Sequence, residues 1–306
     1  MIPLCAPENA KLPTALALGS FDGLHLGHKK VINSILKEPI GVPTVVSFWP
    51  HPREVLFGES KLRLDLPNEK TFLLKPLGIE QLVLVPFNKD LASKSAETFV
   101  EEILVKKLHA KQIAVGENFR FGRNREGDIS TLKKIGASLG IKISIIPILE
   151  DNHGRLSSSR VRKALSEGDL KHAKYLLKRP YTFRGTVEKG KGLGRTIGWP
   201  TANLKIDGRK FLPSLGVYAA WAEIANKKER FSAIMNLGPQ PTIDPNSSSA
   251  VEVHLLDKEI NLLGKELIIE PVKRIRIQKK FENIEALSKQ ISLDAELAKE
   301  ILINNV

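Results

Sequence analysis

Residues Gly19-Ser20-Phe21-Asp22-Gly23-Leu24-His25-Leu26-Gly27-His28 follow the apolar run Ala15-Leu16-Ala17-Leu18. They precede a segment in which Val31, Ile32, Ile35 and Leu36 recur at helical spacing. A short continuous apolar run reads as a buried strand, and the later spacing reads as a helix, so the decapeptide is a strand-to-helix turn. Gly19, Gly23 and Gly27 let the backbone bend and a ligand come close. The helix start offers free N–H groups and the positive end of a dipole, both suited to phosphate. His25 and His28, three residues apart, can face the same anion. The plain alternative is a turn with two exposed histidines; the density of glycine and histidine in one turn weighs against it.

Working outward, the 306 residues suffice for two domains with separate cores. A formal charge of +13 points to anionic partners, among them nucleotides, nucleic acid and membrane surfaces. The basic residues are scattered and aromatics make up only 6% of the chain, which disfavours nucleic acid because no basic stripe is interleaved with stacking rings. Cys5 is the only cysteine, so an intrachain disulfide or a cysteine metal cluster is excluded and a reducing cytoplasm is expected. The run 12–18 contains Pro13, lacks a preceding basic region and leads into the turn, so it is not read as a signal core. No apolar segment approaches the length of a membrane span.

In the first half, residues 43–48, 81–87, 113–115 and 142–148 read as strands, and 95–108 has helical spacing. Alternating strands and helices argue a parallel sheet flanked by helices, with ligands beyond the carboxyl ends of the strands. Trp49-Pro50-His51-Pro52-Arg53 closes the first of these strands; His51 is either a site residue or part of a rigid surface turn. At another strand end stands Gly116-Glu117-Asn118-Phe119-Arg120-Phe121-Gly122. There Asn118 can hydrogen-bond and the phenylalanines can line an aromatic ligand or fill the core. Leu156-Ser157-Ser158-Ser159-Arg160-Val161-Arg162 opens a further helix, where the serines serve as a cap or, with Arg162, as a second phosphate cradle.

The helical tail ends at Arg179-Pro180, and the expected domains are residues 1–180 and 181–306. Beyond the boundary, strand-like runs at 182–187, 217–224, 231–236, 251–256 and 267–277 suggest an antiparallel barrel or sandwich. Residues 284–302 have helical spacing and should pack on it. Gly190-Lys191-Gly192-Leu193-Gly194-Arg195-Thr196 fits neither a Walker loop nor a dinucleotide fingerprint. It is followed by Pro200-Thr201-Ala202-Asn203. In Val251-Glu252-Val253-His254, period-two alternation places Glu252 and His254 on one face and the valines on the other.

The segment 19–28 resembles the His-x-Gly-His turn of nucleotidylyltransferases. Its Phe-Asp-Gly-x-His-x-Gly-His form is similar to the adenylylating module of bacterial bifunctional riboflavin kinase/FAD synthetases. The resemblance extends to 116–122 and to 156–162, where the family has Ile-Ser-Ser-Thr-x-Ile-Arg. It continues through Pro-Thr-Ala-Asn at 200–203, Asn236-Leu237-Gly238-Pro239-Gln240-Pro241-Thr242, Glu252, Arg276 and Phe281. It implies a Rossmann-like α/β nucleotidylyltransferase domain followed by an antiparallel β-barrel riboflavin kinase domain with a C-terminal helix. Three departures stand out: Trp49 replaces an acidic residue, Leu262-Leu263-Gly264 replaces Phe-Tyr-Gly, and Ile277-Gln278 replaces Pro-Glu.

What the resemblance implies is ATP-dependent phosphorylation of riboflavin to FMN, then adenylylation of FMN to FAD with release of pyrophosphate. It assigns ATP and phosphate contacts in the first domain to Gly19, Phe21, Asp22, Gly23, His25, Gly27, His28, Ser158, Ser159 and Arg162. Asn118 and Phe119 would meet the flavin. In the second domain it assigns the nucleotide to Gly190, Lys191, Gly192, Gly194, Thr201 and Asn203, with Mg²⁺ at Thr201 and Asn203. Glu252 would be the base, and Arg276 and Phe281 would meet the flavin. Partners are then riboflavin, FMN, FAD and ATP, with neither nucleic acid nor membrane expected and the oligomeric state open. A rival from another class is an RNA-binding protein on an inactive scaffold; a nearer one is an enzyme with one working domain.

Overall fold

The computed structural model describes residues 1–58, 63–190, 194, 197–227, 229–238 and 250–304. Lys191, Gly192 and the turn 239–242 of the sequence reading lie outside the described residues. The chain divides into two compact units, Met1–Ser158 and Ser159–Val306.

In the first unit the elements run β1 (Leu4–Cys5), β2 (Thr14–Leu18), α1 (Leu26–Ser34), β3 (Val42–Trp49), α2 (Pro52–Phe57) and α3 (Pro67–Leu74). They continue with β4 (Gln81–Pro86), α4 (Lys89–Ser93), α5 (Ala96–Phe99), β5 (Ala110–Gly116), α6 (Ile129–Ser138), β6 (Lys142–Ile146) and the short pair β7 (Glu150–Asp151) and β8 (Gly154–Arg155). The six-stranded sheet has the order β1-β4-β3-β2-β5-β6, and each neighbouring pair is parallel.

The apolar run of β2 is continuous because both its faces are covered. Ala15 and Ala17 pack with Val31, Ile32 and Ile35 of the α1 region, whereas Leu16 and Leu18 pack with Phe99, Val100, Ile103 and Leu132 on the opposite side. Strand order reverses at β2, which has β3 on one side and β5 on the other. A crevice opens beyond the carboxyl ends at such a switch point. The turn 19–28 leaves the end of β2 and the segment 116–122 leaves the end of β5, so the sheet brings together two motifs about a hundred residues apart in sequence.

The second unit comprises α7 (Ser158–Glu167), which begins at its boundary, and α8 (Leu170–Leu177), followed by six strands. These are β9 (Phe183–Glu188), β10 (Ala202–Lys205), β11 (Gly216–Ile224), β12 (Arg230–Gly238), β13 (Ala250–Leu255) and β14 (Glu266–Arg276), and helix α9 (Ile284–Ile303) follows them. The strands close an antiparallel barrel in the order β10-β13-β12-β11-β14-β9. Phe183, Val187, Leu204, Tyr218, Met235, Val253 and Ile269 are among its buried residues. On the other face Val217, Ala219 and Ile234 pack against Ala295, Ala298, Ile301 and Leu302 of α9, as its helical spacing requires.

Strand β10 was not among the runs read from sequence: with four residues, it is too short for alternation to register. Helices α7 and α8 are tied to the barrel. Ser214 N–H donates to the Leu165 carbonyl at 3.0 Å, and Arg274 Nη2 donates to the Glu167 carbonyl at 3.1 Å. Gly168, at φ +76°, sits so close to Arg274 that an added Cβ would lie 2.8 Å from Cζ. Among the described residues no helix is long and apolar enough to cross a membrane.

Candidate active sites

The crevice of the first unit is a cavity of about 370 Å³ walled by Gly19, Phe21, Asp22, His25, Gly27, His28, Asn118 and Phe119, all expected from sequence. Its turn is held in a conformation that few residues adopt freely. Gly23 has φ +89°, and the buried Phe21 and Leu24 have φ +45° and +47°. Left-handed backbone at a non-glycine residue costs about 1–2 kcal/mol. Surrounding hydrogen bonds pin it: Asp22 Oδ1 accepts from Leu64 N–H at 2.9 Å and Asp65 N–H at 3.3 Å. Ser158 Oγ donates to the Asp22 carbonyl at 2.8 Å, and Lys70 Nζ and Ser47 Oγ donate to the Ser20 carbonyl at 2.8 and 3.2 Å.

His25 and His28 stack on one another with ring centroids 3.7 Å apart and planes 22° apart. Gly27 permits this arrangement, since a Cβ there would come within 3.1 Å of His25 Cε1. Both Nδ1 atoms are buried with no hydrogen-bond partner among the described residues. Burial lowers the pKa of His25 to about 4, with the Arg155 charge acting in the same direction and Asp22 opposing. His28 is held well below its ordinary value, first by burial and then by His25, Lys70 and Arg155. Both rings are therefore neutral near pH 7, and a neutral imidazole carries one N–H. Burial also lowers the pKa of Lys70, against the pull of Asp22 and Asp65.

Positive charge in the cavity comes instead from residues the motif reading did not single out. Arg53, Arg63, Lys70, Arg120, Arg125 and Arg155 all line it. Arg155 Nη2 and Nη1 donate to Asn118 Oδ1 at 2.8 and 3.1 Å when the amide is oriented to satisfy its neighbours. Arg155 occupies a two-residue strand with no periodic signal, so only its delivery by the β7–β8 hairpin marks it. Of the two phenylalanines, Phe119 lines the cavity while Phe121 is buried in the core, their rings stacked at 5.4 Å. His51 lines the cavity, and its Nδ1 accepts from Arg53 N–H at the start of α2. Trp49 lines the cavity too, with Arg63 lying 5.6 Å over its ring. Ser159 and Arg162 fall in the second unit, where the Arg162 guanidinium lies 5.9 Å over Phe211.

The second site is built on the outside of the barrel. Asn203 of β10 pairs with Glu252 of β13, which pairs in turn with Asn236 of β12, giving a polar row across three strands. Val251 and Val253 are buried on the opposite face, as the alternation required. Asn236 Nδ2 donates to Glu252 Oε2 at 3.5 Å. Thr201 is exposed just before β10, and His254 Nδ1 meets the Pro200 carbonyl at 2.7 Å with its ring edge against Trp199. Gly190 and Gly194 lie against this segment. A Cβ at Gly190 would fall 2.0 Å from Asn203 Nδ2, and one at Gly194 2.3 Å from the Trp199 carbonyl. Arg276 lies 5.5 Å over Phe281, so these two expected residues do come together. Asp294, missed in the sequence because it lies within an amphipathic helix, grips Arg276 at Nε and Nη2, at 2.8 and 2.7 Å. Leu262 is buried and Leu263 exposed.

Comparison with known proteins follows the same division. A family model described as FAD synthetase matches residues 8–160, and one described as riboflavin kinase matches residues 177–302. Together with a parallel sheet carrying a histidine cavity and a closed barrel, they define a two-part transferase class. A bifunctional riboflavin kinase/FMN adenylyltransferase of Haemophilus influenzae is 35% identical over 93% of this chain and 93% of its own length. One of Escherichia coli K12 is 36% identical over 93% and 91%. A crystal structure from Streptococcus pneumoniae, described as a macrolide-efflux protein, superposes with a TM-score of 0.82 at 30% identity, covering 96% of this chain and 97% of that one. The chain belongs to the bifunctional riboflavin kinase/FMN adenylyltransferase family.

Proposed function

We propose that the chain phosphorylates riboflavin to FMN with ATP and then joins FMN to AMP from a second ATP, giving FAD and pyrophosphate. The observation that carries the reading is the pairing of Asn203 with Glu252 beside Thr201, in a chain whose other unit holds His25 and His28 in a basic cavity. In the kinase step Glu252 accepts the proton of the ribityl 5′-hydroxyl as that oxygen attacks the γ-phosphate and ADP leaves. Gly190, Lys191, Gly192 and Gly194 would line the nucleotide, and Arg276 and Phe281 the flavin. In the adenylyl transfer an FMN phosphate oxygen attacks the α-phosphate of ATP and pyrophosphate leaves. The nucleophile is already anionic, so the demand is for charge stabilisation, which the N–H groups of His25 and His28, the cavity arginines, Ser158, Ser159 and Arg162 would meet.

Mg²⁺ suits the second site. Thr201 and Asn203 present hard oxygen atoms, and among the described residues no three His, Cys, Asp or Glu side chains gather into a metal cage. Such a donor set fits a cation that keeps water and phosphate oxygens as its other ligands. When bound it would neutralise phosphate charge. The catalytic modules are assigned to residues 1–180 and 181–306, in a cytoplasmic setting that accords with the lone Cys5.

Chromatography of products from riboflavin, ATP and Mg²⁺ tests the whole reading, with FMN followed by FAD as the expected outcome. FMN alone, or FAD only from supplied FMN, would mean a single working module. Salt-sensitive RNA binding without flavin turnover would establish the RNA-binding alternative.

A further inference from the structure

Lys70 ends the first turn of α3, whose start is pinned where Glu69 Oε2 accepts from Leu66 N–H at 2.8 Å. The residue is only 6% exposed, yet it lines the cavity of the first unit. Its Nζ donates to the Ser20 carbonyl at 2.8 Å, and its charge helps to depress the pKa of His28. The ammonium thus lies against the turn 19–28 and within electrostatic reach of its second histidine. An ammonium has three N–H donors. Among the described residues Ser20 is the only hydrogen-bond acceptor of Nζ, and no carboxylate closes an ion pair with it. Asp22 and Asp65 attract it from further away, while Asp22 Oδ1 accepts from the Leu64 and Asp65 N–H groups. Lysine is almost never buried without a partner, so unspent donors on a cavity wall point to an anionic ligand. We propose that Lys70 is a catalytic residue of adenylyl transfer, binding the phosphates of ATP that leave as pyrophosphate. The proposal rests on the reading of this cavity as the adenylyl-transfer site.

The chemistry calls for such a group. As an FMN phosphate oxygen bonds to the α-phosphorus, the bond from that phosphorus to the bridging oxygen breaks, and its electron pair leaves with pyrophosphate. No proton need move, so the demand is for positive charge fixed beside the leaving group. His25 and His28, neutral near pH 7, do not carry that charge. Of the other cavity cations, Arg63 is paired with Glu54 and Arg155 donates to Asn118, whereas Lys70 spends a single N–H on a neutral carbonyl. Six Arg and Lys side chains line the cavity against the one carboxylate of Asp22, so an anion entering it is met by an excess of positive charge. Burial and Arg63 disfavour the charged form of Lys70; a phosphate beside it acts in the opposite direction.

The test uses the full chain carrying W199F and W221F, so that Trp49 fluorescence reports urea unfolding of the first unit, and compares it with the same chain carrying K70M. Inorganic pyrophosphate is the probe, and it should raise the unfolding midpoint of the parent by mass action. In K70M the pyrophosphate concentration needed for the same rise should increase roughly tenfold or more, the scale of a lost charged hydrogen bond. The kcat of FAD formation from supplied FMN should fall about a hundredfold, as when one donor to a developing oxyanion is removed, with riboflavin phosphorylation as the control. A fall in kcat with an unchanged response to pyrophosphate would make Lys70 a support for the Ser20 carbonyl and overturn the proposal. Parental kcat would overturn it as well. If K70M fails to fold by circular dichroism, K70Q serves under the same outcomes, since it keeps an amide N–H but no charge. A parent chain that makes no FAD, yet is stabilised by pyrophosphate through Lys70, would overturn the catalytic role together with the adenylyl-transfer reading and keep the phosphate contact.

Discussion

Asn203 and Glu252 face each other directly across the antiparallel pair β10–β13, although 48 positions separate them in sequence by their numbers. That pairing brings a Pro-Thr-Ala-Asn segment and an isolated strand glutamate together as one candidate site. It sets an amide and a carboxylate on the same outer face, while Ala202, Leu204, Val251 and Val253 fill the buried one.

Because Glu252 is read as the proton acceptor, E252Q should lower riboflavin phosphorylation by roughly a hundredfold or more, the usual scale for a lost general base. Glutamine keeps the size of the side chain, so thermal unfolding should change little. FMN adenylylation, carried by the other unit, should remain. Steady-state assays with riboflavin and with FMN check both halves of the expectation.

H28A should have the opposite selectivity. Removing one ring of the stacked pair takes away an N–H proposed to meet the phosphates, and loss of such a donor costs about a hundredfold in rate. FAD formation from supplied FMN should fall by about that factor, with riboflavin phosphorylation intact. Near-normal FAD synthesis would refute the role given to His28.

The two stacked histidines also predict a pH dependence of stability. Their folded pKa values are lowered, so between pH 6.5 and about 4 the unfolded chain binds protons that the folded chain does not. Stability therefore falls as pH falls through that window, by on the order of 3 kcal/mol at its lower end for His25 alone. Trp49 is the only tryptophan in residues 1–158. Its fluorescence, in a W199F/W221F background, follows urea unfolding of the first unit, and H25Q should flatten the profile.

Where the chain is cut should matter. A fragment of residues 159–306 retains the bonds from Ser214 to Leu165 and from Arg274 to Glu167, along with the buried Leu170, Ala173, Leu176 and Leu177. It should fold and make FMN but no FAD. A fragment of residues 181–306 loses those contacts and should be less stable by several kcal/mol, since each buried leucine contributes about 1.5–3 kcal/mol. Urea denaturation and a riboflavin phosphorylation assay on both fragments measure the difference. A folded 159–306 fragment without kinase activity would show that the kinase site needs residues from the first unit.

The elements that sequence alone determined are those whose patterns are local. The apolar run at β2, the glycines and histidines after it and the spacing of α1 specify a strand, a turn and a helix from their own residues, since period and backbone permissiveness are properties of neighbours in the chain. The alternation around Glu252 likewise assigned its face, and the spacing of 284–302 assigned a packed helix. Tertiary structure decided what required partners distant in sequence. Arg155 and Lys70 have no motif of their own, and reach the cavity only because a hairpin and α3 deliver them to the switch point. Burial there, through desolvation, makes His25 and His28 neutral, which no residue spacing encodes. Strand β10 is too short to announce itself, and barrel closure alone sets Asn203 against Glu252. Hydrogen-bond direction and desolvation depend on what surrounds a group in space, and that is fixed only when the chain has closed on itself.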